Sequence, residues 1–296
     1  MERLKDKKKL YFKDEEKLFE KLQVPYVPAV CRVDGKAVGR SFDNIIFSSD
    51  IVGQLHNHTT FSDGKYSPEE FASLSLSQDV EFIAISDHSP ATGGVGVKKE
   101  KLKQYVEAIR STRRKFADKG LTVYTSMEVE LSKSGMLDKN INRPMYKEFD
   151  FVFLSAHRGT AGVDITERLV TAIEYCYRHD IRAIIAHPSN RLLVSYAGSG
   201  KVLAREGSVP DWERIFELCA KTNTLLEINA QPTRMDLDVS LVVQAKKAGC
   251  RFVINADSHD GLFLNTEYGV WIAQAAWLTT KSVVNSNHSQ FISWLK

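Results

Sequence analysis

Short apolar segments of this 296-residue chain end, one after another, in a residue type that binds metal ions. From residue 50 onward, seven β-rich runs alternate with helical patterns, which is typical of βα units around a parallel sheet. The runs cover residues 51–55, 81–86, 121–127, 151–156, 183–186, 225–229 and 252–256. The alternation predicts an α/β fold, and α/β barrels commonly reach this length as one domain.

The residues just past the predicted strands carry the chemistry. Six of the seven runs are followed at once by His56-Asn57-His58, Asp87-His88, Glu128, His157, His187 and Asp257-Ser258-His259. The carboxyl ends of parallel strands meet on one face of a barrel. Core histidines have no reason to select these positions, whereas a metal cluster needs ligands that converge from separate strands. We therefore predict a metal centre there. Imidazoles and carboxylates without thiolates suit zinc, manganese or iron.

Residues 1–49 have a different pattern and predict a short N-terminal helical and extended arm. Lysines alternate with acidic residues between positions 5 and 21, which predicts a solvated helix of mixed charge. A DNA-binding arm is the alternative for the same lysines. The opening residues are too charged for a signal peptide, and no later apolar run reaches the roughly 20 residues that span a bilayer. We therefore expect a cytoplasmic protein with no membrane partner.

Several other classes of protein are disfavoured. Cys31, Cys176, Cys219 and Cys250 are scattered, which predicts buried reduced thiols and no zinc knuckle or disulfide framework. A net charge of +3 does not by itself imply nucleic-acid binding, but it does not oppose an anionic substrate. The sequence has no Gly-x-Ser-x-Gly elbow and no Gly-x-x-x-x-Gly-Lys loop. We expect no organic cofactor.

The motifs resemble the polymerase and histidinol phosphatase (PHP) superfamily in order and spacing. They lie at residues 55–64, 85–88, 128, 155–157, 186–188 and 257–259. Over about 50–285 the chain is most similar to the PHP domain at the C-terminal end of bacterial X-family DNA polymerases, with the closer likeness at 186–193, 226–237 and 253–259. The segment upstream is too short for a polymerase fold. We therefore expect a stand-alone PHP domain at residues 50–296, preceded by the arm at 1–49.

The resemblance implies a distorted (β/α)7 barrel that holds two or three divalent metal ions. All nine usual ligand positions are filled. The implied groups are His56, His58, Glu128 and Asp257 for one metal, Glu128, His157 and His187 for a second, and Asp63, His88 and His259 for a third. Glu128 would bridge the first two. A metal-bound water, with His157, Glu128 and Asp257 around it, would attack phosphorus.

Three arginines are candidate substrate-binding residues. Arg191 and Arg234 lie a few residues beyond strand ends, and Arg158 directly follows a predicted ligand. A guanidinium there could clamp phosphate oxygens with two hydrogen bonds, although a surface ion pair is an equal alternative for Arg158. Glu227 is either a support behind the ligands or an interior residue of the barrel, and we leave it outside the predicted site.

Three functions are compatible with this sequence. The first is hydrolysis of phosphate esters at DNA 3′ ends, as an exonuclease or 3′-phosphatase, because the resemblance implies relatives that process such ends. The second is hydrolysis of a small phosphomonoester such as histidinol phosphate. The third is a non-catalytic, metal-stabilised binding module, which the complete ligand set disfavours. A basic track towards the metal face would favour DNA, and a narrow closed pocket would favour a small molecule.

Overall fold

The computed structural model describes residues 12–32, 35–157, 164–193, 204–260 and 265–296. Within these ranges the strands are β1 Gly53–Gln54, β2 Phe82–Ile85, β3 Thr122–Thr125, β4 Glu128–Glu130, β5 Val152–Ser155, β6 Ala183–Ile185, β7 Leu225–Asn229 and β8 Phe252–Asn255. The helices are α1 Glu15–Lys21, α2 Pro68–Leu76, α3 Leu102–Phe116, α4 Arg143–Tyr146, α5 Ile165–Arg178, α6 Trp212–Thr222, α7 Val239–Lys247, α8 Glu267–Ala275 and α9 His288–Leu295. Strands and helices alternate along most of the chain, as the sequence predicts.

The strands form two parallel sheets whose strand order follows the sequence, β1 to β3 and β4 to β8. Two isolated parallel bridges connect the sheets. One joins His88 to Glu128, and the other joins Asn57 to Ser258. The α/β fold with parallel strands is therefore confirmed, and both connections lie at the end of the sheets where the predicted ligands are.

The structure divides the predicted run 121–127, so the described residues contain eight short strands where the sequence pattern indicated seven. The break falls between β3 and β4, after Thr125. There the hydroxyl of Tyr105 lies 2.8 Å from the carbonyl oxygen of Ser126 and 3.1 Å from that of Ile85. The hydroxyl therefore donates close to the point where β3 ends, although the Ile85 carbonyl still accepts from the backbone N–H of Ser126 at 2.9 Å. The chain then enters the second sheet at Glu128.

Side chains from both sheets pack in a common interior. Phe82 of β2 and Phe153 of β5 lie in one buried cluster, while their neighbours Ile83 and Leu154 belong to the cluster between strands and helices. This alternation is expected when strands are covered by helices on one side and enclose a packed core on the other. The two parallel sheets thus enclose a filled interior, and full closure into a (β/α)7 barrel stays a prediction.

The C-terminal helix α9 covers the amino-terminal end of this interior. Phe291 and Trp294 are buried in the cluster that contains Phe82 and Phe151. The ring of Phe291 stacks on Phe82 at 5.1 Å and meets Phe151 edge-on at 5.6 Å. Aromatic pairs in these geometries stabilise beyond the area they bury. The end of the chain therefore helps to hold the two sheets together.

The N-terminal segment packs on the outside of this fold. Helix α1 buries no residue, in agreement with its mixed charge. The following segment anchors through a small cluster that includes Val27, Cys31 and Ile45, with Trp277 packed against it. Arg40 lies over the Trp277 ring at 4.8 Å. A domain boundary at residue 49 stays a prediction.

Two further expectations concern the cysteines and the membrane. Cys31, Cys176, Cys219 and Cys250 are all free and buried, as predicted. Among the described residues, no helix has the length and apolar character that crossing a bilayer requires.

Replacing Phe291 by alanine should destabilise the fold by about 3–5 kcal/mol, because the deletion leaves a cavity among rings from both sheets. Urea unfolding followed by circular dichroism measures the change. The matched control is Ile292→Ala on the same helix, where the side chain is 38% exposed and little burial is lost. Equal effects from the two variants would contradict the role given to Phe291.

Candidate metal centre

All nine predicted ligands lie together at the carboxyl end of the strands. His56 and His58 follow β1, Asp63 lies in the loop before α2, His88 follows β2, Glu128 opens β4, His157 follows β5, His187 follows β6, and Asp257 and His259 follow β8. Their ligand atoms form four overlapping groups, and the atoms of each group lie within 4.8 Å of one another. Residues up to about 200 positions apart in sequence thus share one small space.

Glu128 occupies the centre of this cluster. Its Oε1 lies 2.9 Å from Nε2 of His187 and 3.3 Å from Nε2 of His157. Its Oε2 lies 2.6 Å from Nδ1 of His88 and 3.5 Å from Nε2 of His56. The two oxygens therefore face different histidines, which is the arrangement a carboxylate needs to bridge two metal ions. The bridging role that the resemblance implies for Glu128 stays a prediction.

Asp257 and Asp63 complete the two sides of the cluster. Oδ1 of Asp257 lies 3.2 Å from Nε2 of His58. Asp63 lies 3.5 Å from Nε2 of His259 and 3.6 Å from Nε2 of His88. The side chains of Asp63 and His259 are 32% and 34% exposed, whereas His58 is buried. The group around Asp63 is thus the open side of the centre.

The buried donor atoms fit divalent metal ions. Nε2 of His56, both ring nitrogens of His58 and Nδ1 of His187 are buried without a hydrogen-bond partner. A buried polar atom without a partner costs free energy, so native proteins rarely leave several side by side. Imidazole nitrogens and carboxylate oxygens are ligands of zinc, manganese and iron. Cations at this position would satisfy these atoms together.

Two carboxylates and His187 are held in protonation states that suit a metal centre, whereas the surrounding carboxylates outweigh burial and raise the pKa of His56 and, to about 10, that of His88. Burial raises the pKa of the Glu128 carboxyl, but the surrounding histidines outweigh burial and hold that pKa well below its usual range. The same balance holds the pKa of Asp257 low. Burial, with Arg234 nearby, lowers the pKa of His187 to about 4. Ionised carboxylates and neutral imidazoles are the forms that bind metal.

Glu227 accepts hydrogen bonds from two of the predicted ligands, His56 and His187. Nδ1 of His56 donates to its Oε1 at 2.8 Å, and the backbone N–H of His187 donates to its Oε2 at 2.7 Å. Because Nδ1 carries the proton, Nε2 of His56 is left free to face Glu128 and Asp257. Such carboxylates fix the tautomer and orientation of metal-binding histidines.

Glu130 has the same role for His157. Nδ1 of His157 donates to Oε2 of Glu130 at 2.8 Å, and the buried Arg168 lies 3.2 Å from Oε1. Glu130 follows Glu128 by two residues on β4, so the period of a strand places both on one side. That spacing was available in the sequence, and our sequence analysis missed it.

A short loop positions Asp63. Asp87, which precedes the ligand His88, accepts hydrogen bonds from the backbone N–H and hydroxyl groups of Thr59 and Ser62. A Cβ at Gly64 would lie 2.1 Å from the carbonyl oxygen of His58, so only glycine permits the close approach. Asp87 is thus a loop-ordering residue adjacent to the cluster.

The predicted substrate-binding arginines differ in their surroundings. The guanidinium of Arg191 donates to the carbonyl oxygens of Arg234 and Met235, so it braces the loop after β7. Nε of Arg234 lies 3.6 Å from Oδ2 of Asp257, beside the metal centre. Arg158 lies outside the described residues. Arg205, which the sequence analysis did not select, lies close to Arg234 through a shared partner, Asn190.

Comparison with known proteins identifies the family. Residues 54–231, more than half of the chain, match the PHP domain. This chain belongs to the PHP domain family. The PHP domain is therefore a metal-dependent enzyme that hydrolyses phosphoester bonds, and the cluster described above supplies the ligand types that this chemistry requires.

The PHP domain is also similar to individual proteins. It is 32% identical over 281 residues to the DNA polymerase/3′-5′ exonuclease PolX of Bacillus subtilis (strain 168), which is 93% of this chain and 46% of that protein. The chain thus spans about half the length of this curated relative.

Two solved structures are similar in fold. A candidate histidinol phosphatase from Listeria monocytogenes superposes with a TM-score of 0.50 at 15% identity, over 70% of this chain and 95% of that one. A histidinol phosphate phosphatase from Lactococcus lactis, in complex with zinc, L-histidinol and phosphate, gives a TM-score of 0.49 at 16% identity, over 76% and 92% of the chains. The Listeria structure supports the fold of the PHP domain.

Replacing Glu227 by glutamine should weaken metal binding by about 10–100-fold, because His56 loses the charged acceptor that fixes its tautomer. Competition with a metal-binding dye measures the affinity, and elemental analysis gives the number of ions per chain. Glu217→Gln, at an exposed position of α6, is the matched control. Unchanged affinity in Glu227→Gln, with the fold intact, would show that this support is dispensable.

Proposed function

We propose that the PHP domain hydrolyses phosphate esters at DNA 3′ ends, as a 3′-5′ exonuclease or 3′-phosphatase. The observation that carries the proposal is the 32% identity to a polymerase/3′-5′ exonuclease over 93% of this chain. The open side of the metal centre supports it, because a DNA end must reach the ligands without entering a closed pocket.

A basic surface beside the open side also supports DNA. A cavity of about 400 Å³ is lined by Phe61, Ser62, Lys98 and Lys101, next to the loop that carries Asp63. Lysines there offer counter-charges to a phosphate backbone, and an aromatic ring offers a stacking surface for a base. The two lysines and the ring support DNA over a small substrate, although they form a short basic patch and not a continuous track.

We propose the nine clustered residues as the metal ligands, in the three groups that the resemblance implies. Divalent metal ions held there supply Lewis-acid activation of water and neutralise charge on the phosphate. The other contributions to the reaction come from side chains of the protein. Glu128, His157 and Asp257 surround the reacting space, Glu227 and Glu130 fix the imidazoles, and Arg234 places a positive charge beside Asp257. The catalytic unit is proposed to extend over residues 50–296.

A small phosphomonoester is the second candidate substrate. Cavities of about 370 Å³ beside His259 and about 330 Å³ beside His157 fall in the size range that binds small molecules. The larger one is lined partly by Pro232 and Tyr268, which suit an organic group next to a bound phosphate. Activity on such an ester alone would favour this candidate.

The test compares a 3′-recessed DNA duplex with histidinol phosphate, using purified protein loaded with manganese. We expect release of nucleotides or phosphate from the DNA end, and loss of at least about 100-fold in rate in His157→Ala, since removing a group that acts at the reacting centre costs several kcal/mol. His179→Ala is the matched control, because that histidine follows α5 and lies outside the nine-residue cluster.

The three outcomes separate the hypotheses. DNA degradation that disappears in His157→Ala but not in His179→Ala supports the proposed function. Phosphate release from histidinol phosphate alone replaces DNA by the small ester. Inactivity on both substrates at full metal content would rule out both and leave another phosphoester as substrate.

A further inference from the structure

Two arginines share one neutral partner beside the metal centre. Nη2 of Arg205 donates to Oδ1 of Asn190 at 2.7 Å, and Nη1 of Arg234 donates to the same oxygen at 3.3 Å. Nε of Arg205 also donates to the backbone carbonyl of Asn190 at 2.9 Å. The amide of Asn190 is itself fixed, because its Nδ2 donates to the carbonyl oxygen of Ala156 at 2.9 Å. Asn190 therefore holds both guanidinium groups in place.

Among the residues that the structure describes, the positive charge at this position is incompletely balanced. The hydrogen bonds of Arg205 go to a carbonyl and an amide oxygen, both neutral. Burial and the nearby Arg234 both lower the pKa of Arg205, while Asp236 acts in the opposite direction. Burial raises the pKa of Asp236 itself to about 6, so its negative charge is partly lost near that pH. Arg234 faces Asp257, which is already shared with three histidines.

Arg205 lines a cavity that is also lined by His157 of the metal centre. The cavity has a volume of about 330 Å³, and its lining includes His157, Asn190, Arg205 and Ser208. Arg205 is exposed and Asn190 is buried, so the guanidinium can meet a ligand from solvent while its anchor stays fixed. Glu206 also lines the cavity, at its exposed side. A group bound here would lie next to a substrate held at His157.

We propose that Arg205, fixed by Asn190 and flanked by Arg234, forms a second anion subsite that binds the phosphate of the substrate that is not cleaved. The subsite deepens the proposed function on which it rests, since a DNA strand carries such a phosphate and histidinol phosphate does not. The planar fork of a guanidinium suits two oxygens of one phosphate, which lysine cannot match. Arg205 is thereby a specificity residue for substrates with two phosphates separated by a sugar.

The test measures binding, with calcium in place of manganese so that neither nucleotide is hydrolysed during the titration. Thymidine 3′,5′-bisphosphate and thymidine 5′-monophosphate are titrated by calorimetry into the calcium-loaded protein. The variants are Arg205→Gln, Arg205→Lys and the control Arg178→Gln, an exposed arginine paired with Glu174. Metal content and thermal unfolding of each variant are measured first, so that a damaged centre is recognised.

The wild type should bind the bisphosphate at least about tenfold more tightly than the monophosphate, because a charge-assisted hydrogen bond is worth that much. Arg205→Gln should abolish this preference while the affinity for the monophosphate changes by less than about twofold. Arg205→Lys should restore part of the preference, and Arg178→Gln should behave like the wild type.

Two results would overturn the subsite. One is a wild-type preference near unity, and the other is a preference that survives in Arg205→Gln. An equal loss of affinity for both ligands in that variant would also count against it, since that pattern indicates general charge attraction. Failure of DNA hydrolysis with the preference intact would refute the proposed function alone, and hydrolysis without any preference would refute the subsite alone.

Discussion

The buried carboxylate of Glu128 is the constraint on which the rest of this structure depends. An ionised carboxylate taken out of water carries a large desolvation cost unless opposite charges and hydrogen bonds surround it. Here four histidines lie within 3.5 Å of its two oxygens. They come from four different strand ends, so compensation of one charge requires both sheets to meet at this point.

The same requirement explains the polar layer beneath the ligands. Each imidazole has two nitrogens, and one of them must be fixed if the other is to face the centre. Glu227 fixes His56, Glu130 fixes His157, and the carbonyl oxygen of Asp257 lies 3.0 Å from Nδ1 of His259. These contacts bury further charge, which Arg168 and Asn255 then partner. A network of this kind is rigid, because removing any member leaves another buried polar group without a partner.

Part of the backbone strain lies at the same end of the strands, where four of the nine described non-glycine residues with a positive φ are found. His187, Asn190, Met235 and Asp257 all have a positive φ, although none is glycine. Such conformations cost free energy and persist where surrounding contacts fix them, often at functional sites. In this protein they redirect the chain just after β6, β7 and β8, where ligands and arginines must point into the centre. The helices and the packed interior of the fold stabilise the protein against the cost of these conformations.

The sequence by itself determined the α/β fold, most of the strand positions and the nine residues that cluster. It could do so because the strand period and the carboxyl-end rule are local patterns that translate directly into position. It did not reveal the break between β3 and β4, where the Tyr105 hydroxyl from a helix contacts the carbonyl of Ser126. It also missed Glu130, and it left Glu227 unresolved between two roles.

Only the tertiary structure decided which charged residues serve which purpose. Arg191 and Arg234 were equivalent in the sequence, but the fold directs one to backbone carbonyls and the other to Asp257. Arg205 became a candidate phosphate-binding residue because the fold brings it into contact with Asn190, which lies fifteen positions earlier in the sequence. Residue types and spacing specify which groups can bind metal or phosphate. The direction of a long side chain is set by the partners that packing brings within reach, and no local pattern encodes them.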